Sequence, residues 1–263
     1  MIVREMDDGG LLCLPQPSHG VMAAEFCRHW GNERFVRPPL FDLLEVAVIL
    51  HDSGWTDWEE KPLLRDDGVP MDFLHNTDVA EKIAIWQKGV RIAWGHHPYT
   101  ALLVARHASL LYEMSLASLP FSAEDREQIA GFFAWEEELQ AQARVHFRDA
   151  PDLLAGMEAE SLEAHTRLLQ FCDNASLRLG VPWPSGALLG CYPTGGPEGC
   201  VEIRFCYDDT TATCDPWPFG VDSFPVTMTG YRLAERTFPD AASYHAALAT
   251  APLYSQTWQV QRG

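Results

Sequence analysis

The sequence is poor in basic residues. Its 263 residues include 19 Lys and Arg against 37 Asp and Glu, which gives a formal net charge of -18. A nucleic-acid-binding surface needs clustered Lys and Arg to neutralise phosphates, so this balance argues against a nucleic-acid partner. We expect a small-molecule substrate instead, and the one protein partner we allow for is a second copy of the chain in a homodimer.

Two features of exported or membrane proteins are also missing. No run of about 20 apolar residues could span a bilayer, and the first residues carry acids and glycines instead of a basic stretch leading into an apolar one. These absences predict a cytoplasmic protein with no membrane partner. The hydrophobic content of 47% is enough for a sizeable buried core.

Motifs for several other kinds of site are lacking as well. The 7 cysteines contain no Cys-x-x-Cys pair, so we do not expect a disulfide framework. Cys191, Cys200, Cys206 and Cys214 cluster without zinc-ribbon spacing, and we interpret them as small core residues or surface thiols. The chain has no Walker-type glycine loop and no Ser or Cys nucleophile motif. For an enzyme of this sequence, metal-activated water is the simplest nucleophile.

The most informative residues present are His51 and Asp52. They stand at the end of the apolar run 43–50, so one core helix carries two types of metal ligand. Because adjacent ligands need distant partners, other candidates are sought at helical spacing. His19 stands at the opening of an apolar-periodic segment and is the first such candidate.

Asp173 is the second candidate partner. Leu169 and Leu177 lie four residues to either side of it, so its side chain points with the apolar face of a helix. Ionised carboxylates are rarely fully buried unless they are paired or coordinate a metal. The order His, then His-Asp, then Asp therefore predicts one metal centre.

This order resembles the HD-domain superfamily of metal-dependent phosphohydrolases. The helical core of that superfamily carries a histidine, an adjacent His-Asp pair and a later aspartate as metal ligands. The resemblance implies that His19, His51, Asp52 and Asp173 bind the metal. The whole chain more closely resembles a bacterial family defined only as a domain of unknown function, which implies a fold and a metal site but no substrate. The matching stretches are residues 16–19, 51–55, 102–107 and 215–219.

His107 is a further candidate, because apolar residues at helical offsets on both sides turn it inward. It is either a hydrogen-bonded core histidine, a ligand of a second metal or a phosphate contact. His96 and His97 lie ten or eleven positions earlier, about 15 Å or more along a helix, whereas the ions of a two-metal site lie about 3.5–4 Å apart. We therefore favour His107 over that pair. His75, in a loop, is another candidate ligand.

Three more residues are candidates for substrate contacts. Arg106 is adjacent to His107 and either meets a phosphate or is simply solvated. Trp55 and Trp58 follow the His-Asp pair and form either an aromatic pocket wall or core anchors. They lie in a segment after residue 52 that is rich in turn residues, including Pro62, and we expect that segment to be a functional loop or lid.

Periodicity and capping signals predict the secondary structure. Helices are expected near 17–31, 41–52, 78–94, 98–116, 123–147, 151–180 and 241–248, and Pro182 is expected to stop the longest of these patterns. Strands are expected at 11–14, 201–205, 225–229 and 258–260. We therefore predict a mainly α fold, an HD-domain-like helical bundle over 1–184, with a small β-rich C-terminal part over 185–263, α+β overall.

These observations lead to one preferred function and two alternatives. The preferred function is a metal-dependent phosphohydrolase that uses one or two Mn, Fe, Co, Ni or Zn ions. Metal-activated water would attack a small phosphate ester or a nucleotide, with Asp52, Asp173 and His107 as catalytic residues. The first alternative is an HD-type diiron oxygenase, which would need His75 and His107 as added ligands. The second is a non-catalytic protein that binds a metal or small ligand.

Overall fold

Helices occupy most of residues 16–180 in the computed structural model, which describes residues 1–61, 63–181, 183–188, 190–195 and 199–263. A single 3-10 turn, Ser53–Trp55, precedes the third helix. The helices are α1 Gln16–His29, α2 Phe41–Leu50, α3 Thr56–Glu59, α4 Val79–His96, α5 Pro98–Ser118, α6 Ala123–His146, α7 Pro151–Gly156, α8 Ala159–Gly180 and α9 Ala241–Thr250.

Most helix boundaries follow the predicted start signals. Ser122 caps α6 in a capping box, since its Oγ accepts from the Asp125 backbone N–H at 3.0 Å and its own N–H donates to Asp125 Oδ2 at 3.1 Å. The prediction of one continuous helix over 151–180 is wrong, because α7 ends at Gly156 and a separate helix, α8, begins at Ala159. The Gly156 carbonyl accepts a hydrogen bond from the Tyr99 hydroxyl at 2.9 Å, outside the helix ladder. Pro62 and Pro182 lie outside the described residues.

Strands from both ends of the chain form one seven-stranded sheet with the order β1-β2-β8-β9-β7-β6-β3. The sheet is mixed, since β7 and β9 are parallel while the other neighbours are antiparallel. The strands are β1 Ile2–Glu5, β2 Leu11–Leu14, β3 Gly186–Ala187, β6 Arg204–Tyr207, β7 Thr211–Asp215, β8 Ser223–Leu233 and β9 Leu253–Arg262; β4 Tyr192–Pro193 and β5 Cys200–Val201 form a second, two-stranded sheet.

This sheet corrects the predicted fold class. The protein is an α+β structure and not a mainly helical HD-type bundle with a small β-rich part. The prediction failed because β1 has four residues and β7 is the small-residue segment Thr-Ala-Thr-Cys-Asp, so neither shows a long apolar alternation. It also underestimated β8 and β9, which have 11 and 10 residues.

The helices cover one face of the sheet through an aromatic cluster around Phe26 of α1. The Phe26 ring meets Phe205 of β6 and Phe224 of β8 at centroid distances of 6.0 Å each. It also meets Phe171 of α8 at 6.5 Å and Phe219 at 6.2 Å. Phe219 ends the Asp-Pro-Trp-Pro-Phe stretch, so that stretch helps to fix α1 and α8 on the sheet.

The cysteines depart from the expectation in one place. Cys191 and Cys200 form a disulfide with their Cα atoms 5.6 Å apart, because the antiparallel pairing of β4 and β5 brings the two residues together. Cys206 and Cys214 are free, and Cys214 is buried, which is one of the two alternatives expected for it. Within the described residues, no helix combines the length and apolarity that crossing a membrane requires.

Candidate metal centre

The predicted ligands come together from four helical elements. His19 lies on α1, His51 and Asp52 directly follow α2, Asp173 lies on α8 and His107 on α5. All five are buried. Gly20 allows α1 to pass close to α2, since a Cβ there would stand 2.5 Å from the Ile49 carbonyl oxygen. The small residue beside His19 therefore brings the first histidine to the His-Asp pair.

The donor atoms are close enough to share one ion. His19 Nε2 lies 3.0 Å from Asp173 Oδ1, and His51 Nε2 lies 3.5 Å from the same oxygen. Donor atoms of His19, His51 and Asp173 all lie within 4.8 Å of one another. Asp52 Oδ2 is 3.4 Å from His51 Nε2 and 3.8 Å from His19 Nε2. The buried group of His19, His51 and Asp173 could therefore hold a metal ion.

Hydrogen bonds to the outer ring nitrogens orient both imidazoles. His51 Nδ1 donates to the Val48 carbonyl at 2.6 Å, which leaves its Nε2 facing the carboxylates. Ser176 Oγ donates to the Asp173 carbonyl at 2.9 Å, so it accepts from His19 Nδ1 at 3.2 Å. Such contacts are typical of metal-bound histidines. His51 Nε2 is buried without a hydrogen-bond partner among the described residues, and a metal would satisfy it.

The electrostatics of the group favour a cation. Burial alone would lower the pKa of His51, but Asp52 and Asp173 raise it to about 9. Burial alone would raise the pKa of Asp173, but the hydrogen bond with His19 and the nearby His51 ring hold it well below its usual range. The Asp173 carboxylate is therefore ionised, and positive charge beside it is stabilised.

His107 lies at the edge of the centre. Its Nε2 is 3.6 Å from Asp173 Oδ2, and its ring stands edge-on to His51 and Trp86 at centroid distances of 5.5 and 5.9 Å. Its Nδ1 has no hydrogen-bond partner among the described residues. Burial lowers the pKa of His107 to about 4, so the ring is neutral and keeps a lone pair for a metal or a substrate.

A cavity of about 440 Å³ opens beside the centre. Asp52, His107 and Asp173 line it, and so does Trp55. Trp58 is not among its walls but stands edge-on behind Trp55 at 5.3 Å. Phe73 and Leu74 of the predicted loop also contribute. The cavity volume lies within the usual range of small-molecule sites, roughly 300–1,000 Å³.

Two other candidates lie elsewhere. Arg106 donates from Nη1 to Glu113 Oε1 at 2.6 Å and borders a different cleft, because adjacent helical residues point in different directions and His107 takes the inward one. His75 is 51% exposed, with Nδ1 2.6 Å from Asp72 Oδ1 and Nε2 3.1 Å from Arg65 Nη1. The structure brings neither residue to the metal centre.

The sequence reasoning missed several residues that line the cavity. Gln16 lies one turn before His19, so helical spacing from that ligand could have identified it. Tyr112 lies five positions after His107, outside the i+3 and i+4 spacing, so that pattern does not identify it. Lys82 and Trp86 share one face of α4, but only the packing of α4 on α5 shows which face that is.

Comparisons with known proteins identify a family without naming an activity. No curated protein and no solved structure is significantly similar to the chain. None of the comparisons links it to the HD-domain superfamily. A family profile described as "Protein of unknown function (DUF3891)" matches residues 1–235, which is most of the chain. The chain therefore belongs to the DUF3891 family.

Proposed function

We propose that the protein is a metal-dependent phosphohydrolase that acts on a small phosphate ester or a nucleotide. The observation that carries the proposal is the His51 Nε2 atom, which is buried, lacks a hydrogen-bond partner among the described residues and faces two carboxylates beside an open cavity. A core histidine with a purely structural role would have a hydrogen-bond partner at this nitrogen.

The donor set indicates the kind of ion. Two imidazoles and two carboxylates suit Mn, Fe, Co, Ni or Zn. His19, His51, Asp52 and Asp173 would hold one ion, and His107 would join if a second were bound. When bound, such an ion supplies Lewis acidity, which activates water near neutral pH and polarises a phosphoryl oxygen. The order of these ligands along the chain, although not the fold, supports the resemblance to the HD-domain phosphohydrolases.

The lining of the cavity distinguishes the residues that only bind the metal from those that can also contact the substrate. His19 and His51 do not line it, whereas Asp52, Asp173 and His107 do. We assign His19 and His51 to metal binding alone. Asp52 is placed to accept a proton from water at the cavity wall, with Asp173 as the alternative acceptor. The neutral His107 ring is placed to contact the phosphate.

The two alternative functions have less support. The diiron oxygenase needs His75 beside His107, but His75 pairs with Asp72 and Arg65 instead. A non-catalytic metal-binding protein would have the same ligands and is distinguished by the absence of turnover.

The test combines metal analysis with a substrate screen. The full chain is purified without chelator, its metal content and iron oxidation state are measured, and samples reloaded with each ion are assayed for phosphate release. We expect one Mn, Co, Ni or Zn ion per chain and hydrolysis of a phosphomonoester, diester or nucleotide. Asp52→Asn should abolish hydrolysis, whereas His29→Gln, at a histidine outside the centre, should leave it unchanged.

Three results would contradict the proposal. Two iron ions per chain with oxygen consumption would favour the oxygenase. Retained metal without hydrolysis of any phosphate ester would favour a binding protein. If no metal binds, even after reloading, these residues do not form a metal centre.

A further inference from the structure

The cavity beside the metal centre is a slot that follows one face of α5. His107, Leu111, Ser115 and Leu119 line it at intervals of four residues. Twelve residues of helix rise about 18 Å, so the lining extends well beyond the ligands. The cavity therefore has room for the body of a substrate as well as its reacting group.

The walls of this slot are mostly apolar and aromatic. Trp55, Trp86 and Trp183 line it together with Phe73 and Leu177. Flat aromatic walls stack on planar rings and pack against alkyl chains. A polyhydroxylated body, such as a sugar, would leave its hydroxyl groups against these walls without hydrogen bonds, which disfavours its binding.

Two polar atoms in the walls have no partner. Gln16 Oε1 and the Tyr112 hydroxyl are buried and form no hydrogen bond with a described residue. Both side chains line the slot. Burial raises the pKa of Tyr112, so its hydroxyl stays protonated and can donate. These atoms offer one acceptor and one donor to a bound molecule.

Lys82 supplies positive charge inside the slot. Lys82 is the one lysine or arginine among the described residues that line it. No described carboxylate lies within ion-pair distance of its ammonium, although the charge of Asp72 acts on it. Lys82 lies four residues before Trp86, so the two positions are about 6 Å apart along the axis of α4. The Trp86 ring stands beside the His107 ring, so Lys82 is about one helical turn from the metal centre. Burial lowers the pKa of Lys82, which an anionic ligand would reverse.

We propose that the slot binds a monophosphate ester of an aromatic or apolar alcohol. The phosphate lies at the His107 end, where Lys82 pairs with its charge, and the apolar body extends along α5. Gln16 and Tyr112 contact a polar group on that body. A diphosphate or triphosphate would bring more negative charge than one lysine balances. This inference rests on the proposed hydrolase function and narrows its substrate class.

Calorimetric titration of the full chain after chelation tests the inference apart from turnover, because no metal-activated water is then present to hydrolyse the probes. The probes are naphthyl phosphate, naphthol, glucose phosphate and ADP. We expect naphthyl phosphate to bind at least tenfold more tightly than each of the others. Lys82→Met should weaken its binding about tenfold to a hundredfold, the usual range for a lost hydrogen bond to a charged group. Lys88→Met, at the lysine of α4 that pairs with Asp57 outside the slot, should not.

The outcomes separate the two proposals. If naphthyl phosphate binds tightly in a Lys82-dependent manner but the metal-loaded protein releases no phosphate, the ligand class of the slot is as inferred and the hydrolase proposal is wrong. If glucose phosphate or ADP binds more tightly and is hydrolysed, the hydrolase stands and the inferred substrate class is wrong. Equal binding to wild type and Lys82→Met would also overturn the inference, provided that circular dichroism shows both proteins to be folded.

Discussion

Removal of the metal should lower the melting temperature of the protein without unfolding it. Chelation takes an ion away from buried imidazoles and carboxylates. A ligand present at 100 times its Kd stabilises the folded state by about 2.7 kcal/mol. For a chain of this size each kcal/mol corresponds to roughly 2–4 °C. The expected decrease is therefore roughly 5–10 °C.

The metal-free protein should stay folded because the centre can neutralise itself. With the pKa of His51 raised to about 9, its imidazolium can pair with Asp52 and Asp173 at neutral pH. Two buried carboxylates are then not left without a counter-charge, which would cost several kcal/mol.

The assay is differential scanning calorimetry of samples that are metal-loaded, chelated and reloaded. His51→Gln should not respond to the ion and should melt below the chelated wild type, because it also removes the imidazolium that pairs with Asp52 and Asp173. His29→Gln is the matched control, because His29 also bonds a backbone carbonyl through Nδ1, at 2.8 Å, but lies outside the centre. A wild-type melting temperature that is the same with and without the ion, in samples shown to contain it, would refute the reasoning.

Three further predictions concern parts of the fold around the centre. Neutral His97 caps α5, and burial lowers its pKa below 6.5, so the stability it contributes is present above about pH 6.5 and is lost as the pH falls. In urea titrations, the unfolding free energy of His97→Asn should therefore decrease less between pH 7 and pH 5 than that of the wild type. Gly54→Ala should destabilise the protein by about 1–3 kcal/mol or more, since the added Cβ would stand 2.8 Å from the Gly89 backbone nitrogen. Gly131→Ala, at an exposed position of α6, should instead stabilise it by about 0.4–1 kcal/mol. Lys82→Met should raise the melting temperature of the ligand-free protein, because it removes a desolvated charge; a lower one would show that the ammonium already has a stabilising partner.

The helical part of the fold could be predicted from sequence because its signals are local. The capping box at Ser122 and the apolar periodicity of α4 and α5 depend on neighbours within a few positions, and those helices form where expected. The sheet depends on pairing between distant segments. β1 is too short to show an alternation, so its place beside β2 becomes visible only in the assembled structure.

The candidate centre shows the same division. A buried aspartate on an apolar face and a His-Asp pair after an apolar helix are local features, and the structure brings them together with His19. The wall of the cavity depends on which faces of α4, α5 and the loop after residue 52 meet, and sequence spacing does not give this. Arg106 shows that adjacency in sequence is weak evidence for a shared site, since its side chain points away from that of His107.

The position of β2 between β1 and β8 has a consequence for how the chain folds during synthesis. Leu11 pairs with Leu233, so the N-terminal hairpin leaves the ribosome long before the strand that covers its edge. An uncovered strand edge can pair with other chains. Closing so long a loop is also slow compared with the formation of helices. We therefore expect the nascent protein to depend on a chaperone until β8 is made, and its hairpin to be the first segment to aggregate when translation stops early.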